Sequence, residues 1–383
     1  MEPAEDKKPI ALLVVLLIIA AIAGLAAWGY SEYSASKRRS ATDEAISRGL
    51  NKLAYNDTAA ARAEFQNAMD NAQSQDERGY FETLLASTYE EENLMTAAGL
   101  YLSVADNLSY SPKTRGLAGT YLALALGTKK DFTVAKYVFS AGPWHGFYKD
   151  TSGDDTLDLE IALARAHEWS IAQYPNFLSY FVAGEFYARK FTYYTEEQRL
   201  KAAPRIVAFY SEGQASLEAA VSDPAWSTLN VMRGYLMRAQ YAVQIERLLR
   251  SGQFTPPSSF TMSQNEVREA FADALDYATK NSLTHETVHR AELASQVYLA
   301  EYLLSLETVD TEEVKELGEN ILTFISANPD LSKQVLKQLA QGSSSSSVAV
   351  KKSMVTMARD HVPALQAKLV STGVFSVGNF SRD

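Results

Sequence analysis

Three segments of equal length decide how this chain folds: GLNKLAYNDTAAARAEFQNA at residues 49–68, ASTYEEENLMTAAGLYLSVA at 86–105 and ALALGTKKDFTVAKYVFSAG at 123–142. Each opens 37 residues after the one before. Gly49, Ala61, Phe65 and Ala68 in the first are replaced by Ala86, Ala98, Leu102 and Ala105 in the second, and by Ala123, Ala135, Phe139 and Gly142 in the third. The order is a small residue, an alanine twelve on, a large apolar residue four further, then a small one three beyond. That spacing describes a helical hairpin. The small residue on the first helix lets the second approach, the alanine receives it, and the large side chain fills the gap to the next hairpin. Each unit completes its core only against a neighbour, so the pattern predicts a stack.

Leu85, Tyr89, Met95, Leu122 and Phe132 extend the apolar columns. Together these positions resemble the tetratricopeptide repeat over residues 43–142, with a period of 37 in place of 34, no early Trp and no Pro closing the second helix. The resemblance implies an all-α chain, a TPR-like α-solenoid of hairpins that binds partner proteins or peptides in a concave groove lined by the first helices. Carried over position by position, that groove would comprise Ile46, Leu50, Leu53 and Ala54, then Thr83, Ser87 and Glu90, then Thr120, Leu124 and Thr128. None is basic, so a carboxylate-binding clamp is not implied. A mixed apolar and weakly acidic groove suits a neutral or basic partner segment.

Downstream the apolar residues keep three- and four-residue spacing without alternating strands. After a loop over 143–156, helix starts are signalled by Thr195-x-x-Gln198, Ser263-x-x-Glu266, Asp310-x-x-Glu313 and Asp223-Pro224. Stops fall at Pro175, Ser251-Gly252 and Asn328-Pro329, with a rigid break at Pro256-Pro257. About eight helices are predicted between 157 and 341, a degenerate continuation of the repeats over 157–342. Five serines, Ser343 to Ser347, read as a flexible linker over 343–350. In the C-terminal helix and tail, 351–383, Val355, Ala358, Val362, Leu365 and Leu369 form a stripe, interrupted by Pro363, that is expected to dock back on the array.

Upstream, Ile10 to Trp28 carries no charge and is long enough as a helix to span a hydrocarbon core of roughly 30 Å. Pro9 suits a helix start, and Trp28, Tyr30 and Tyr33 are placed as an interfacial belt. A transmembrane helix is expected over 10–30, between a tail of residues 1–9 and a juxtamembrane segment of 31–42. The alternative, a signal peptide cut near Ala21-Ile-Ala23, is disfavoured by the length of the apolar run and the acidic Glu2 to Asp6. Lys7 and Lys8 favour a cytoplasmic tail with the large domain outside, although Lys37, Arg38 and Arg39 argue the other way.

The 383 residues carry a formal charge of −10, which opposes phosphate binding and so nucleic acid as a partner. The absence of cysteine removes disulfides, thiol catalysis and Cys-based zinc sites. His285-Glu286-Thr287-Val288-His289 matches HExxH, in which two His one turn apart hold zinc and the Glu serves as general base. The rest of such a site is missing: Glu292 and Ser295 stand where Gly and a third His would be, Glu307 and Glu312 sit at and beyond a helix end, and no strand precedes. A helix first turn with Glu286 at its positive end explains the residues without metal. His145, His167 and His361 have no partner at ligand or triad spacing, and Asp154, Asp155 and Asp158 lack the ladder of a calcium loop. No cofactor is expected.

Phe177, Tyr180, Phe181, Phe186, Tyr187, Phe191, Tyr193 and Tyr194 crowd eighteen positions. Most are expected in the core, with Tyr180, Tyr187, Tyr193 and Tyr194 as a contact patch. The reading is a membrane-tethered scaffold or adaptor that binds proteins or peptides, with homo-oligomerisation open. Its architecture is similar to bacterial anchored TPR proteins that assist translocation or envelope assembly. The alternatives are an anchored zinc metallopeptidase using His285, Glu286 and His289, and a purely architectural subunit of an envelope complex.

Overall fold

The computed structural model describes residues 57–150, 153–223, 226, 228–257, 260–280, 285–340 and 345–380, with 44–46, 48, 49, 52 and 53 before them. The expected transmembrane segment 10–30 lies outside the described residues. Among those described, no helix is long and apolar enough to cross a membrane.

Within the described residues the chain is all-α, without a strand. The helices are α1 (Thr58–Asp70), α2 (Gln75–Ser87), α3 (Leu94–Asp106), α4 (Pro112–Lys129), α5 (Phe132–Phe139), α6 (Asp155–Gln173), α7 (Phe177–Lys190), α8 (Glu196–Ala220), α9 (Thr228–Arg250), α10 (Gln264–Lys280), α11 (His285–Leu303), α12 (Thr311–Ala327), α13 (Pro329–Ala340), α14 (Ser345–Thr356) and α15 (Pro363–Ser371). Short polar side chains start them. Asp57, Asn93 and Asp131 accept backbone N–H groups of α1, α3 and α5, and Thr195 with Gln198 forms a reciprocal box on α8. Ser263 and Glu266 form a second box on α10. Asp310 caps α12, but Glu313 turns away to Arg268, so that box is half made.

Most helices pack on the next in sequence, and alternate ones also touch: α2 on α4, α3 on α5, α4 on α6, α7 on α9, α9 on α11 and α11 on α13. This order is consistent with a helical repeat. The 37-residue register sits where hairpins close: Ala61, Ala98 and Ala135 are fully buried, as are Phe65 and Ala86. A Cβ on Gly49 would collide with the Phe65 ring, so that glycine sets how closely the first hairpin closes. Met95 departs from its expected apolar column and is 40% exposed.

The third unit is altered. α5 has only eight residues, and Gly142, at φ +59°, opens a 3-10 turn rather than lying on the helix. The expected loop therefore begins with a core anchor: Trp144 is fully buried, 5.7 Å from Phe139 and edge-on to Trp169. The acidic cluster at 154–158 is a helix start, with Asp154 accepting from the Thr156 and Leu157 N–H groups.

At the C-terminal end the serine run is not all linker, because Ser345, Ser346 and Ser347 open α14. Pro363 starts α15 after a π-turn at Met357–His361, and Ala358, Val362, Leu365 and Leu369 are buried against the array. The stripe docks on α11 and α12, as its spacing predicts.

Candidate binding surfaces

The positions expected to line a concave groove have different fates. Leu53 is half-buried, and Leu50 lies outside the described residues. Thr83 and Thr120 are buried, their hydroxyls donating to the Gly79 and Gly116 carbonyls. Ser87 bonds back to Leu84, and Glu90 is half-buried, accepting from Tyr101 Oη at 2.6 Å. Loss of water pushes the Glu90 carboxyl above its usual range, an effect that the Tyr101 hydrogen bond and Arg233 oppose. Arg233 belongs to α9. From the same helix Asn230 donates to Tyr121 Oη on α4, and just before it Asp223 pairs with Lys113 at 3.6 Å. From α7, Ser179 lies 3.0 Å from Thr120 Oγ1, and Asn176 at its start donates to the same oxygen. On α4, the Lys113, Thr120 and Tyr121 positions are thus met by residues from α7, α9 and the segment before α9. Local spacing carries no sign of these contacts, because Tyr121 and Asn230 lie 109 residues apart.

Leu124 has a different setting. It lines a cavity of about 260 Å³ between α4, α6 and α7, together with Gly127, Leu159, Leu163, Val182, Phe186 and His167. His167 is 1% exposed, and burial pushes its imidazole down to about 3, so it is neutral at physiological pH. Its Nδ1 lies 3.1 Å from Ser179 Oγ, a partnership between α6 and α7 that the sequence reading missed. With the Thr120 proton on the Gly116 carbonyl, 2.9 Å away, Ser179 donates to Thr120 and accepts from His167 Nδ1–H; with that proton turned to Ser179, Ser179 donates to His167 Nδ1 instead.

The aromatic run divides as its length demands. Phe177, Tyr180, Phe181 and Phe191 are buried in the core that α7 shares with α8 and α9, and Phe186 is buried at the cavity beside α4 and α6. Tyr187 is half-buried and donates to Glu168, Tyr194 is half-buried, and Tyr193 is 82% exposed. Of the expected patch, Tyr193 stands open. In the HExxH segment, α11 starts at His285, but the side chains of His285 and Glu286 lie outside those described. His289 has its Nδ1 3.2 Å from Glu292 and its ring edge-on to Phe324, which places it against α12.

An acidic cleft of about 520 Å³ is bounded by α8, α9 and α10. Glu218, Glu266, Glu269 and Asp273 face it with one cation, Arg238, whose Nη2 is already paired with Asp273 at 2.6 Å. Tyr210 and Phe260 meet edge to face, 6.2 Å between centroids, and form its aromatic wall with Met262. No sequence motif marked this cleft, since its carboxylates come from two helices and its rings from a helix and a loop.

Comparison with protein-family models, curated proteins and solved structures finds no match to this chain. The site must therefore be read from its own residues. The cleft can hold a cation: carboxylates supply charge, the ring faces add cation–π attraction, and the mouth is open to an extended segment.

Proposed function

We propose that this chain is a membrane-tethered, TPR-like helical scaffold that binds a basic segment of a partner protein, as in envelope assembly or translocation. The observation that carries this is the α8–α9–α10 cleft, where four carboxylates and two aromatic rings surround a single, internally paired guanidinium. A Lys or Arg entering it gains a nearby counter-charge and a ring face, whereas an acidic segment meets repulsion. Its location differs from the groove of the tetratricopeptide repeat, whose Thr120 position here is bonded to α7. On this reading residues 10–30 hold the chain in the bilayer, and the array presents the cleft to its partner without chemistry of its own. The test is cross-linking in intact membranes followed by identification of the adducts. A recurrent partner bearing a basic segment is expected. Failure to capture any partner, or capture that survives charge reversal by Glu218→Lys with Glu269→Lys, would sink the proposal.

A further inference from the structure

The cavity between α4, α6 and α7 has a hydrogen-bonding group in its wall, the His167 imidazole. The donor order that also engages the Gly116 carbonyl runs from His167 Nδ1–H to Ser179 Oγ, from Ser179 to Thr120 Oγ1, and from Thr120 to that carbonyl, at 3.1, 3.0 and 2.9 Å. Asn176 Nδ2 donates to Thr120 Oγ1 at 3.1 Å, and Asn176 Oδ1 accepts from the Ser179 N–H, which pins the network to the start of α7. With Nδ1 bearing the proton, Nε2 of the neutral ring is a bare lone pair. It has no hydrogen-bond partner among the described residues, and the ring lines the cavity. An acceptor facing the cavity in this way favours a ligand that brings a donor.

The walls define the rest of that ligand. Leu124, Leu159, Leu163, Val182 and Phe186 are apolar, while Lys130, Glu160 and Arg189 lie toward the rim. Small-molecule pockets run to roughly 300–1,000 Å³. At about 260 Å³ this one is sized for a single large side chain. We propose that the cavity receives a tyrosine side chain of a partner protein, its ring among Leu124, Leu163 and Phe186 and its hydroxyl donating to His167 Nε2. The proposal rests on the protein-binding reading above and gives that partner a second anchor, separate from the acidic cleft.

The test uses the full chain and N-acetyl-tyrosine amide as probe, followed by the imidazole ¹⁵N shift of His167 and by calorimetry. Saturable binding with a dissociation constant of roughly 1 mM is expected, with Nε2 moving as its lone pair is engaged. N-acetyl-phenylalanine amide, lacking only the hydroxyl, should bind at least about tenfold more weakly. Gly127→Leu should abolish binding, because a side chain there projects against Leu163, 3.4 Å from the new Cβ. Gly127 lies within α4, so the substitution leaves helix formation intact, and an unchanged melting curve confirms it. Equal affinity for the two amides, no Nε2 shift on saturation, or full binding by a folded Gly127→Leu would each overturn the proposal. Binding of p-cresol without binding of the amide would overturn it too, since the cavity would then take a free phenol and exclude a backbone. None of these failures touches cross-linking at the acidic cleft, so the two readings stand or fall separately.

Discussion

Acidification should reveal the buried histidine before anything else. An unfolded His titrates near 6.5, whereas burial holds His167 down at about 3. The folded chain therefore refuses a proton that the unfolded chain takes up, and stability falls as pH drops through the interval between the two values. Above pH ~6.5 the contribution is fully retained. At pH 5 it has lost ~1.5 pH units, or ~2 kcal/mol. His167→Asn supplies the control: its side-chain amide can donate to Ser179 in place of Nδ1–H, and it cannot titrate. Urea unfolding of both proteins at pH 7 and pH 5 isolates the histidine, because every carboxylate is common to the pair. The wild type should lose ~2 kcal/mol more than His167→Asn between the two pH values. An equal loss would refute the argument that His167 is held neutral by burial.

Three further expectations follow from particular positions. Ala98 is fully buried where α3 closes on its hairpin, so Ala98→Leu should destabilise by ~1–3 kcal/mol; Ala59→Leu, on the exposed face of α1, should be nearly silent in the same denaturation assay. Lys130 closes α4 in the left-handed region at φ +51°, so Lys130→Gly should raise stability by about 0.5–1 kcal/mol, and a loss would show that its side chain holds the turn. If Glu286 acts only at a helix start, chelator should leave the melting temperature unchanged and Glu286→Gln should cost ~0.3–1 kcal/mol; a large chelator-dependent drop would point to zinc at His285 and His289.

The sequence disclosed what depends on short spacing. The 37-residue register located the buried alanines of successive hairpins, because close approach of two helices admits only small side chains there. Caps at Asp310, Thr195 and Ser263 were legible because a capping side chain acts within three residues. What stayed hidden depends on distant segments meeting. Glu90 and Thr120 read as groove positions, and nothing near them announces Arg233 or Ser179. His167 looked solitary because its partners lie twelve residues on and on another helix. The serine run misled by composition alone: Ser345 to Ser347 become helical because Val350 and Met354, downstream in the same helix, are buried in the core. The acidic cleft was invisible for the same reason as His167, being assembled from α8, α9, α10 and the segment before α10.

Whether the cleft is where a partner sits can be measured directly. A photoreactive benzoylphenylalanine at Ala215, exposed on its α8 wall, should give a discrete protein adduct in intact membranes. The same group at Lys333, exposed on α13, should not. Glu218→Lys with Glu269→Lys should remove the Ala215 adduct while leaving the melting curve in place. Equal adducts at both positions, or an Ala215 adduct indifferent to the reversed charges, would contradict the account.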